Sequence, residues 1–137
     1  MNQNEYDFKI YPIIQSTAKL ISGLGANRIG VFATTGTVNS GAYKSEIEKH
    51  NINIRVKENE LVEAEEIACP NWVNFVEGVT NINAEDDIKS HCEEMQNFNP
   101  DKIILGCTHY PYLIDRLEKY IPRNLFIDPA GIFSVYI

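Results

Sequence analysis

The sequence has no long apolar run, no cluster of basic residues, no pair of cysteines at a metal-binding spacing and no low-complexity segment or internal repeat. Each absence removes a class of function. A membrane-spanning helix needs about 20 consecutive apolar residues, and none is present. Twelve Lys and Arg face 19 Asp and Glu, for a net charge of -7. The cations are scattered (among them Lys44, Lys49, Arg55, Lys57, Lys102, Arg116, Lys119 and Arg123), so neither a nucleic-acid stripe nor a polybasic membrane anchor is built. Three cysteines, Cys69, Cys92 and Cys107, are an odd number and argue against a disulfide framework. No Cys-x-x-Cys or His-x-x-x-His spacing supports a metal site. The polar, acidic segment Met1–Asp7 has neither the basic nor the apolar part of a signal peptide. The expectation is a soluble, reduced, cytoplasmic protein with no metal, no nucleic-acid partner and no membrane contact.

What is present suits a packed domain. The chain has 137 residues, of which 44% are hydrophobic and 23% charged, close to globular averages and enough for one core. Arg28–Ala33 is a short, branched apolar run that reads as a buried strand. Asn39–His50 reads as a helix. Asn51–Val56 alternates polar and apolar residues, as a half-buried strand does. Ala84–Phe98 reads as a helix with Ile88, Cys92 and Met95 on one face, broken by Asn99-Pro100. Asp101–Gly106 reads as the clearest buried strand, Tyr112–Tyr120 as a helix, and Asn124–Asp128 as a last short strand. The glutamate-rich segment Glu58–Glu66 reads as an exposed helix or loop without chemistry. Strands alternating with helices predict an α/β domain, a mainly parallel sheet flanked by helices, with ligands beyond the carboxyl ends of the strands.

Two constellations lie at such strand ends. Cys107 stands between a strand and a helix start, where partial positive charge favours thiolate. His109 lies two residues on, Gly106 permits close backbone approach, and Pro111 suits a first helical turn. The alternative is a buried core cysteine beside a surface histidine. The loop Ala33–Gly41, with Thr34, Thr35 and Thr37, offers hydroxyls and N–H groups to a carboxylate or phosphate. Its alternative is an ordinary turn rich in capping residues. Cys92 reads as core, and Glu77 reads by spacing as a surface carboxylate. Gly23-Leu24-Gly25 precedes a strand instead of following one, so it is no dinucleotide fingerprint.

At Leu105-Gly106-Cys107-Thr108-His109-Tyr110-Pro111 the sequence resembles the second-half signature of the glutamate racemases. Three further segments match in order: Gly30–Tyr43, Ala68-Cys69-Pro70 with Val76-Glu77-Gly78, and Leu125–Asp128. The similarity runs from about Ile13 to Ala130. The histidine after Cys-Thr favours the glutamate enzymes over the related aspartate racemases. The resemblance implies one lobe of a two-lobed fold, with the active site in the cleft between lobes. It implies a reaction without cofactor, in which two cysteines act on opposite faces of glutamate to interconvert its L and D forms and supply D-glutamate for peptidoglycan. Cys107 would act on L-glutamate. Thr34, Thr37 and Thr108 would hold the substrate, and His109 with Glu77 would tune the site.

The family's first-half motifs, Asp-Ser-Gly, Pro-Tyr-Gly and Cys-Asn-Thr, are missing. The expectation is therefore a half-enzyme, inactive alone. Residues 1–124 would form the lobe, and 125–137 would begin the return to a first lobe. Tyr110 would lie in an uncovered patch, the tail would be poorly ordered, and a homodimer through the tail would be one way to cover it. The competing reading is a non-catalytic module that binds glutamate or pairs with a separate first-half chain. A cysteine hydrolase would need an orienting Asn or Asp and an oxyanion hole, and no local signature supplies them.

Overall fold

The computed structural model describes residues 26–54, 62–78 and 83–129, with side chains described outside 50–54. The elements are β1 (Arg28–Ala33), α1 (Thr35–Ser40), α2 (Ala42–Ile54), β2 (Glu63–Ala68), α3 (Trp72–Glu77), α4 (Ala84–Phe98), β3 (Lys102–Leu105), a 3-10 turn (Tyr110–Leu113), α5 (Ile114–Leu117), a second 3-10 turn (Arg123–Leu125) and β4 (Phe126–Ile127). The four strands form one sheet in the order β2-β1-β3-β4. All neighbours are parallel, with Ile29 opposite Lys102, Phe32 opposite Leu105 and Ile103 opposite Phe126. The α/β class expected from sequence is the class observed.

Because side chains alternate across a sheet, the strands feed two cores. Phe32, Ile67, Ile103, Leu105 and Phe126 face a large layer containing Trp72, Ile88, Cys92, Met95, Tyr110 and Leu117. Ile29, Val31, Ala33, Ile104 and Ile127 face a smaller layer with Tyr43 and Ile47 from α2. Helix α4 begins and ends where its sequence dictates. The Asn83 side chain accepts the Asp86 N–H, Glu85, Asp86 and Asp87 occupy the first turn, and Asn99 closes the helix at φ 56°. Acids at an amino terminus and a left-handed residue past the carboxyl end both stabilise a helix. The helix packs directly on β1, because a Cβ on Gly30 would overlap the Met95 thioether.

At the starting edge of the sheet, Asp101 Oδ2 accepts the N–H groups of Asn27 (2.8 Å) and Arg28 (2.9 Å). The Arg28 guanidinium lies 4.2 Å from the centroid of the Phe98 ring. Its Nε donates to the Phe98 carbonyl at 2.9 Å, and it pairs with Glu63. One side chain thus ties β1 to β2 and to the end of α4.

Several expectations need correction. The helix expected over Asn39–His50 is two helices, broken at Gly41, whose φ of 63° suits glycine. Residues 51–54 continue α2 instead of forming a strand; with no breaker at its end, the helix gains a hydrogen bond for each added residue. Arg55 and Val56 lie outside the described residues. Glu63, Glu65 and Glu66, expected in a helix or loop, lie on β2, while Glu58 and Glu60 are outside the described residues. The helix expected over Tyr112–Tyr120 is a 3-10 turn followed by the four residues of α5. Of the expected return segment 125–137, Phe126 and Ile127 pair with β3 as β4 and are fully buried. Residues 130–137 lie outside the described residues. Among the described residues, no helix is long and apolar enough to cross a membrane.

Candidate active site

Parallel pairing brings the carboxyl ends of the strands to one edge. Thr34 follows β1, Cys69 follows β2, and Gly106-Cys107 follows β3. The Gly106 N–H donates to the Phe32 carbonyl at 2.7 Å, and the Cys69 N–H to the Ala33 carbonyl at 2.9 Å, so the ladder continues into both cysteine segments. A Cβ on Gly106 would lie 3.0 Å from the Phe32 oxygen, 3.2 Å from the Ala33 Cβ and 3.3 Å from the Tyr43 ring. Only glycine lets β3 leave the sheet this close to β1.

Thr34 caps α1. Its Oγ1 accepts the Thr37 N–H at 3.4 Å and donates to Thr37 Oγ1 at 3.2 Å, and both side chains are half-buried. Across the edge, Cys107 is half-buried and Thr108 exposed. The Cys107 sulfur lies 4.0 Å from His109 Nδ1, and His109 Nε2 lies 3.7 Å from Glu77 Oε1. The sequence-designated residues Thr34, Thr37, Cys107, Thr108 and His109 therefore share one edge with access to solvent, and Glu77 reaches the same edge from the end of α3.

The electrostatics of Cys107 differ from expectation. Burial pushes its thiol above the ordinary value, while the N–H groups of His109 and Tyr110 pull it back in part. The segment after Cys107 is a 3-10 turn and one α-turn, too short to sum into a strong helix dipole, so desolvation wins. The other thiols are further from use. Burial pushes Cys92 up to about 12. Cys69 is raised more strongly, first by burial and then by Asp87. All three cysteines are free, and the described residues contain no group of three or more His, Cys, Asp or Glu placed to hold a metal ion.

Tyr110 is not part of an uncovered patch. It is fully buried, because its hydroxyl donates to the Cys69 carbonyl at 2.9 Å and its ring meets Trp72 edge-on at 5.2 Å. Trp72 Nε1 in turn donates to Asp87 Oδ2 at 3.0 Å. The exposed large apolar group nearby is Tyr112. Sequence reasoning passed over Trp72 and Asp87. The one signal for them is a tryptophan three residues after the strand-end cysteine, because their partners lie far away in the chain.

The model of the family described as Asp/Glu/Hydantoin racemase matches residues 10–133. The glutamate racemase of Thermoanaerobacter sp. (strain X514) is 32% identical over 134 residues, covering 95% of this chain and 48% of the relative. That of Persephonella marina is 30% identical, covering 98% of this chain and 50% of the relative. The chain thus spans about half the length of the curated relatives it matches. Among solved structures, a glutamate racemase from Francisella tularensis subsp. tularensis SCHU S4, in complex with D-glutamate, superposes with a TM-score of 0.70 at 31% identity, over 86% of this chain and 41% of that one. A glutamate racemase isoform from Bacillus anthracis shares the fold, with a TM-score of 0.68 at 24% identity. By the extent of the family match and the order of its motifs, the chain belongs to the Asp/Glu/hydantoin racemase family.

Proposed function

We propose that the chain is the lobe of a glutamate racemase that acts on the α-hydrogen of L-glutamate through Cys107. The observation that carries this reading is the meeting, at one sheet edge, of a half-buried thiol, its histidine and a threonine pair. It is supported by a similar structure described with D-glutamate.

The Cys107 thiolate takes the α-proton of L-glutamate, and the electron pair stays on the α-carbon as a carbanion. A second acid on the opposite face returns a proton and gives D-glutamate. In reverse, the Cys107 thiol donates. Because burial favours its protonated form, Cys107 is ready to donate in the D-to-L direction. In the L-to-D direction its thiol first loses its proton to solvent, and His109 together with the N–H groups of the turn stabilises the thiolate that then takes the α-proton. Glu77 holds the His109 ring from the far side. Thr34, Thr37 and Thr108 take the substrate carboxylates or amine. No cofactor enters, so fixed donors and excluded water must stabilise the carbanion. The reaction supplies D-glutamate for cell-wall peptidoglycan in the reducing cytoplasm, in keeping with three free cysteines.

Among the described residues no second cysteine is open to substrate, since Cys69 and Cys92 are fully buried. That same observation favours the second reading, a lobe that binds glutamate without turning it over. Both are tested by solvent deuterium incorporation at the α-carbon of L- and D-glutamate, with the chain alone and with the first half of a related racemase supplied. We expect no racemisation alone, and exchange with the supplied half that Cys107→Ser abolishes. Binding of glutamate without exchange would favour the second reading. Racemisation by the chain alone would refute the single-base assignment.

A further inference from the structure

We infer that Tyr110 is a positioning residue for Cys107: its buried phenol, moored to the backbone of Cys69 and braced by Trp72, fixes the turn that begins at Cys107 and carries its sulfur. This rests on the proposed role of Cys107 and adds the device that holds it.

Three connections meet at Tyr110. Its N–H closes the turn onto the Cys107 carbonyl at 3.0 Å, and the N–H groups of this turn, those of His109 and Tyr110, offset in part the upward push of burial on the Cys107 thiol. Its hydroxyl reaches 41 positions back to the Cys69 carbonyl, beyond the end of β2. Its ring is enclosed by Trp72, which also packs on Phe32 at 4.7 Å and is fixed through its indole N–H to Asp87 at the start of α4. The turn from Cys107 to Tyr110 is thus tied to β2, to α4 and to the sheet by one side chain. Without the phenol bond, the turn is held by its own backbone and the apolar contact alone. The turn then relaxes, and the sulfur loses its fixed place beside the N–H groups that favour its anion.

A purely structural tyrosine would change stability and leave the chemistry of the thiol alone, so the test reads the chemistry. Titratable groups around this strut are Cys69, Cys92, Asp87, His91 and Glu94 on the packed side, and His109 and Glu77 on the open side. Tyr110→Phe leaves all of them in place. The full chain and Tyr110→Phe are alkylated with iodoacetamide across a range of pH, and label on the Cys107 peptide is followed by mass spectrometry. We expect the midpoint of the Cys107 rate profile to rise by about one pH unit in Tyr110→Phe, a roughly tenfold slower reaction near neutral pH, with an unchanged plateau rate. Identical profiles overturn the positioning role alone. A parent chain in which Cys107 resists the reagent overturns the functional reading and the positioning role together. Should Tyr110→Phe not fold, the parent chain still decides. Its Tyr110 phenolic proton, followed by NMR with labelled tyrosine, should exchange as slowly as the amides of β3, and exchange at the rate of an open hydroxyl overturns the strut.

Discussion

Cys69 and Cys107 occupy comparable places, one just past β2 and the other just past β3, at the same edge of one parallel sheet. Their chemistry nevertheless diverges. Cys69 is fully buried, its Sγ has the Ile67 carbonyl at 3.7 Å, and Trp72 and Tyr110 belong to the same core cluster. Cys107 comes one residue later, after Gly106, and that step lifts it out of the core into partial contact with solvent. Around the first cysteine the aromatics pack as part of one core; beside the second, the Tyr110 N–H closes a turn onto the Cys107 carbonyl. Strand position alone does not set the exposure of a thiol. The path of the chain just past the strand decides whether sulfur is sealed or offered.

The contrast breaks most completely when its cover is removed. Trp72→Ala should cost about 3–5 kcal/mol, as a large buried aromatic does, seen as a lower urea midpoint. It should also let iodoacetamide reach Cys69, which stays unlabelled in the parent chain while Cys107 is labelled first. Continued protection of Cys69 in the variant would assign its burial to the backbone instead.

Gly106→Ala attacks the step that separates the two cysteines. Its Cβ would meet the Phe32 oxygen at 3.0 Å, and overpacking of this kind costs about 1–3 kcal/mol. Labelling of Cys107 should slow along with the fall in stability. An unchanged labelling rate would show that the exit of β3 tolerates a methyl group.

Alkaline pH sharpens the comparison. All three thiols have native values above the ordinary value. Above the ordinary value near 9, the unfolded chain has lost thiol protons that the folded chain keeps, so stability is full below that pH and falls as pH rises toward the native value. Each buried thiol contributes a decline of about 1.4 kcal/mol per pH unit. Urea titrations on either side of that pH should show a shallower decline for Cys92→Ala than for the parent. Equal slopes would mean that Cys92 ionises alike in both states.

The smallest effect belongs to Glu77→Gln. The His109–Glu77 pair is roughly half exposed, so solvent screens it and stability should change by less than about 1 kcal/mol. The pH profile of Cys107 labelling should still shift slightly, through His109. A large loss of stability would show that Glu77 serves the fold instead.

Elements with strong local signals were legible from sequence. Ala84–Phe98 carries a polar cap, acidic first turn, periodic apolar face and stop signal, and it forms over those limits. The run at Arg28–Ala33 is equally plain. β2 was hidden because its sequence is half glutamate. Among the described strands it lies at the edge of the sheet, where charge is tolerated, and Glu66 is accepted there because the Lys44 N–H donates to it at 2.6 Å. Burial still raises the Glu66 carboxyl. The placement of Thr34 and Cys107 past two strand ends was legible, since strand ends and hydroxyl-rich loops are local. The burial of Tyr110 was not, because its partners Cys69 and Trp72 lie far back in the chain.

The Arg28 clamp has a consequence measured in time. Arg28 finds the Phe98 carbonyl 70 positions later, and β3, the neighbour of β1 on that side, comes directly after it. At about 5–20 residues per second, a ribosome takes roughly 4–14 s to deliver that partner after Arg28 is made. For that interval Val31 and Phe32 have no complete sheet to enter. Strand β1, one of the two inner strands, is the earliest described strand of this lobe, and it waits for β3 before both of its sides are paired.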